Sequence, residues 1–125
     1  MALPIRMVTI INVTLQVVSV TMTKVESTIQ LLHQRKKSIA CSGHRGLLVL
    51  LEDLGFTHRA GKTEGHRLFI HRELSDLTDF KTHSIDCGHY PNRDMKFQYV
   101  LSTISKLKQY QHELESIYAQ NNPSP

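Results

Sequence analysis

The stretch from Leu47 to His71, LLVLLEDLGFTHRAGKTEGHRLFIH, holds a helix, its stop signal and a hairpin, and its reading decides the fold. Leu47, Leu48, Leu50, Leu51 and Leu54 make an apolar helical stripe with Ser42 as the cap upstream. Gly55 ends it, because a helix commonly closes on a residue free to adopt left-handed backbone. From Phe56 to Arg72 the pattern alternates irregularly and is broken by Ala60-Gly61-Lys62-Thr63, the composition of two strands joined by a short hairpin. His66 opens the second strand.

Working downstream, Glu73 to Asp79 reads as a polar loop, and Thr82 to Cys87 as a third strand stopped by Gly88 and a Pro91-Asn92 turn. Phe97, Val100, Leu101, Ile104, Leu107, Gln111, Leu114, Ile117 and Tyr118 then keep three-and-four spacing. This predicts one closing helix capped by Asp94, with its stripe on the sheet. Upstream, Thr23 and Glu26 have the spacing of a capping box. Val25, Ile29, Leu32 and His33 follow on one face, and Arg35-Lys36-Lys37 marks the negative end of that helix. The elements predict an α+β domain over residues 22–120, a three-stranded antiparallel sheet packed on helices, with a polar tail over 121–125.

Residues 7–23, MVTIINVTLQVVSVTMT, carry no charge, so a signal-peptide core, a membrane segment and an extra strand all come into view. None fits well: Thr, Asn and Gln interrupt the run, Arg6 is the whole basic flank, and no small-residue cleavage site follows. Met22 begins a more ordinary N-terminus, MTKVESTIQLL, so residues 1–21 are read as a start-site extension or apolar leader and no membrane role is expected.

At 125 residues the chain fits one domain, and 15 Lys and Arg against 11 Asp and Glu give a formal charge of +4 that suits an anionic partner without requiring one. Cys41 and Cys87 lie far apart and outside any CxxC pair. They read as two small half-buried hydrophobes suited to a reducing cytosol rather than as a disulfide framework. His83, Cys87 and His89 share strand parity, yet Ile85 shares it too and Gly88 breaks the strand, so no metal site and no cofactor are expected.

Three motifs in this order resemble HicA toxins. LLEDLGF, Leu50 to Phe56, is similar to that family's L-x-x-L-G-F junction between helix and strand. EGHRLFIH, Glu64 to His71, resembles its G-S-H-H-x-F-x-H strand, and SIDCGHYPNRDMK, Ser84 to Lys96, its last strand and the polar turn before the final helix. The resemblance spans residues 22–120 and implies a double-stranded-RNA-binding-domain-like α-β-β-β-α fold, here with an extra N-terminal helix. It implies a cytoplasmic stress-response toxin that binds and cuts mRNA and is neutralised by a HicB-like antitoxin. It places the catalytic histidine at His66 and the family's turn histidine at His89. Two departures stand out: Gly65 occupies the usual Ser position, and extra residues lie around Gly43 to Gly46. A catalytically impaired RNA-binding module of the same fold is the alternative.

Metal-free RNA cleavage needs a base for the 2′-hydroxyl proton and cations for the charge growing on phosphorus. Histidine, with an ordinary pKa near 6.5, suits the first role. Arg59 and Lys62 in the hairpin are candidates for nearby charge, Arg67 for a backbone phosphate, His89 for a second acid or phosphate contact, and Tyr90 for stacking on an unpaired base. Parity groups His66 with Leu68 and Ile70, and Arg67 with Phe69 and His71. Apolar residues fall in both sets, so the face covered by helices stays open, and His71 projects away from His66.

Overall fold

A computed structural model describes residues 22–123; the expectations for residues 1–21 and for the end of the polar tail lie outside them. The elements are α1 (Lys24–Gln34), α2 (Leu47–Glu52), β1 (Thr57–Ala60), β2 (His66–Ile70), α3 (Arg72–Leu77), β3 (His83–Asp86), α4 (Phe97–Gln109) and α5 (Gln111–Asn121). The strands form one antiparallel sheet in the order β1-β2-β3, with Thr57 opposite Ile70 and His66 opposite Asp86. The fold is therefore α+β with the order expected of a double-stranded-RNA-binding-domain-like chain, extended by α1 and interrupted by α3.

The longer helices follow from their apolar spacing. Val25, Ile29 and Leu32 bury one face of α1, which starts where Thr23 Oγ1 accepts the Glu26 N–H at 3.0 Å and donates to Glu115 at 2.7 Å. His33, expected on that face, is exposed. Val100, Thr103, Ile104 and Leu107 bury α4, and Leu114 and Ile117 bury α5; both helices pack on α1. Gly55, at φ +96°, makes the turn from α2 into β1.

The sheet settles the question of faces. Phe69 on β2 and its neighbours His83 and Ile85 on β3 are buried beneath the helices, and Phe69 joins Phe56 and Phe80 in an aromatic core. Burial of a ring the size of Phe69 contributes roughly 2–3 kcal/mol. The opposite parity, with Arg59, His66, Leu68, Ser84 and Asp86, forms the uncovered face.

Several expectations are corrected. Gly46, not Ser42, caps α2; the Ser42 N–H instead bonds Pro91 O at 3.0 Å. The supposed loop from Glu73 contains α3, whose cap is a histidine: His71 Nδ1 accepts the Leu74 N–H at 3.2 Å while Nε2–H donates to Leu54 O at 3.0 Å. The closing helix begins after Lys96, not at Asp94, and divides at Tyr110. There the side chain is anchored by Phe80 and by a hydroxyl bond to Asp79 at 2.8 Å, while Phe97 and Leu101 stay exposed.

The cysteine reading fails most clearly. Both cysteines are buried, but Cys41 and Cys87 form a disulfide across a sequence separation of 46. Backbone contacts bring them together: Ala40 bridges Asp94, and Met95 N–H donates to Ile39 O at 2.9 Å. Among the described residues, no helix is long and apolar enough to cross a membrane.

Candidate nucleic-acid interface

Backbone constraints at the hairpin end of the sheet position His66. Gly65 enters β2 at φ +84°, its carbonyl accepting the Cys87 N–H at 2.7 Å, and the Gly61 N–H bonds His66 O at 2.8 Å. A Cβ on Gly61 would lie 2.9 Å from His66 Cβ, so the loop fits over this residue because position 61 has no side chain. Gly65 is equally constrained. A Cβ there would stand 2.7 Å from Gly88 O and 2.9 Å from Asp86 Oδ1, which explains physically why a serine does not occupy this position.

His66 lies on the uncovered face with its side chain 41% exposed, and its Nε2 is 3.7 Å from Asp86 Oδ2 on the neighbouring strand. That separation is too long for a hydrogen bond and suits an ion pair once the ring is protonated. Asp86 is itself held in place, since Oδ1 accepts the Gly88 N–H at 2.8 Å.

Lys62, Glu64, His66, Arg67 and His89 line one cleft, together with Ser42, Leu48 and Pro91. Arg67 points from the helix-covered face, and its guanidinium donates to His58 Nδ1, whose Nε2–H in turn donates to Glu52 at 3.0 Å. Arg67 Nε is buried without a hydrogen-bond partner among the described residues. His89 is exposed and pairs with Glu64 at 2.8 Å. Arg59 shares the uncovered face with His66 but does not line the cleft. Tyr90 lies in an adjoining cleft, with the Arg93 guanidinium 4.5 Å from its ring centre.

The other histidines of the sheet region are structural. His83 Nε2–H donates to the Thr103 hydroxyl at 2.9 Å, since that hydroxyl gives its own proton to Tyr99 O. Burial lowers the His83 pKa to about 4, and Lys106 adds to the effect. Burial likewise lowers the pKa of His71, against the hydrogen bond to Leu54 and the charge of Glu73. With His83 turned to Thr103, Cys87 in a disulfide and His89 on Glu64, the three residues weighed as metal ligands have separate partners.

Sequence reading missed Asp86, Glu64 and the Glu52–His58–Arg67 chain. Asp86 was findable only through strand register, because a carboxylate opposite a histidine has no signature in the linear sequence. No family model matches the chain, and no curated protein or solved structure matches it.

Proposed function

We propose that the chain is a HicA-like mRNA interferase, a cytoplasmic toxin that cuts RNA with His66 as general base. The observation that carries this reading is an exposed imidazole at the rim of a cleft shared with Lys62 and Arg67 and backed by the Asp86 carboxylate. The neutral ring takes the proton of a ribose 2′-hydroxyl as that oxygen attacks the adjacent phosphorus. The 5′-oxygen of the next nucleotide leaves, and a 2′,3′-cyclic phosphate remains. Asp86 stabilises the imidazolium that forms, and positioned base catalysis of this kind is worth about 10²–10⁴-fold. Lys62 meets the charge growing on the phosphoryl oxygens, and the remaining guanidinium donors of Arg67 hold a neighbouring backbone phosphate. His89 would serve the leaving oxygen after exchanging Glu64 for substrate. Arg59, on the same face, would hold a flanking phosphate.

A HicB-like antitoxin would silence the toxin by covering the cleft, and co-purification with the product of a neighbouring gene tests that partner. The decisive experiment replaces His66 by Ala: cleavage of mRNA and growth arrest are lost while RNA binding persists, and cleavage by the unaltered protein survives a chelator. Retained cleavage in His66→Ala overturns the assignment. Gly65 favours a second reading, a catalytically impaired RNA-binding module, because the hydroxyl beside the histidine is absent. In that case neither protein cuts RNA and both bind it.

A further inference from the structure

We propose that the cleft adjoining His66 is a subsite for one unpaired nucleotide of single-stranded RNA, its base stacked on Tyr90 and its phosphate held by Arg93 and Lys96. The proposal rests on the RNA-cleaving reading above and adds to it a strand preference. Cys87, Gly88 and His89 line both clefts, so a polynucleotide leaving His66 passes His89 directly into the second one. That second cleft is lined by Tyr90, Tyr99, Arg93 and Lys96, with the carboxylates of Asp86 and Asp94 also on its wall.

Tyr90 is 60% exposed, so its ring is open to a ligand from solvent. A short turn fixes its backbone, with the Arg93 N–H bonded to Tyr90 O at 2.9 Å, and the same turn brings the Arg93 guanidinium over the ring. A planar ring and a planar cation on one rigid turn form the kind of platform on which a nucleobase stacks without regard to its identity. Arg93 and Lys96 in the same cleft supply charge for the attached phosphate. A base can use this platform only with its faces free, so paired bases are excluded whatever the backbone charge provides. The site therefore selects single strands, although the fold has the order of double-stranded-RNA-binding domains.

The test uses a 2′-O-methyl oligoribonucleotide containing one 2-aminopurine, which has no free 2′-hydroxyl and stays uncut by the full-length protein. Binding quenches the 2-aminopurine emission, and an equivalent duplex binds at least about tenfold more weakly. Tyr90→Ala weakens the single strand by about fivefold to a hundredfold and abolishes the quench, whereas Tyr90→Phe keeps both. Circular dichroism melting confirms that each variant folds. His66→Ala keeps the quench, which separates the subsite from the catalytic base. Equal affinity for Tyr90→Ala and the unaltered protein, or equal binding of duplex and single strand, overturns the subsite and leaves the cleavage reading intact. Failure of the unaltered protein to bind the oligonucleotide overturns both.

Discussion

Two glycines and one aspartate set the surroundings of His66, the candidate base. Gly65 sits at φ +84° with no room for a Cβ against Gly88 O and Asp86 Oδ1. Restoring the serine expected from the HicA resemblance therefore strains the backbone instead of adding a catalytic hydroxyl. Gly65→Ser should destabilise the fold by about 1–3 kcal/mol, read as a lower thermal midpoint, and RNA cleavage should fall. A serine variant as stable as the parent would contradict the geometry. Gly61→Ala should displace His66 and reduce cleavage while leaving overall stability within about 1 kcal/mol, since the hairpin tip is at the surface. At this scale the resemblance of EGHRLFIH nominated His66 as the candidate base, and strand register sets that residue opposite Asp86. Its face remained undecided, because Leu68 and Phe69 offer apolar residues to both parities, and the packing of Phe69 under the helices decides between them.

The three strands and α1 were legible as elements, and the short α3 and the division between α4 and α5 were not. α1, β1, β2 and β3 follow from capping, alternation and turn chemistry, whereas the six residues of α3 carry too little periodicity and owe their start to a buried His71 cap. The division at Tyr110 has no proline or glycine to announce it; side-chain anchoring to Asp79 and Phe80 overrides local propensity there. The buried histidines joining these elements make stability depend on pH. His83, with its pKa lowered to about 4, stays neutral in the folded protein while an unfolded imidazole protonates near 6.5. The unfolded chain thus binds more protons between these values, so stability is full above about pH 6.5 and is lost as pH falls towards 4. The gap corresponds to about 3 kcal/mol, and the lowered pKa of His71 acts in the same direction. Urea midpoints measured from pH 7.5 to pH 4 should fall accordingly. His83→Gln should flatten part of that slope, and an unchanged slope would show that the ring is not held neutral by burial.

Across the whole molecule, the Cys41–Cys87 disulfide links the segment after α1 to the end of β3, the same end of the sheet that carries both clefts. The sequence could not show this, because two cysteines 46 positions apart meet only after Ala40 has paired with Asp94 and Ser42 with Pro91. A loop of that length, if constrained in the unfolded chain, contributes about 4 kcal/mol. Disulfides persist in oxidising compartments, whereas a toxin acting on mRNA meets a reducing one, so the two readings pull apart and the bond becomes measurable evidence between them. Protein purified without reductant should resist thiol alkylation until it is unfolded and reduced. Its urea-unfolding free energy should exceed that of the Cys41→Ser, Cys87→Ser double variant by several kcal/mol. Dithiol treatment of the parent, which moves two electrons from the reagent into the bond and leaves two thiols, should bring the two proteins level. If the parent instead alkylates readily and matches the double variant from the outset, the clefts are held by the backbone pairing of residues 39–42 with 91–95 alone, and the cytoplasmic toxin reading loses its main obstacle.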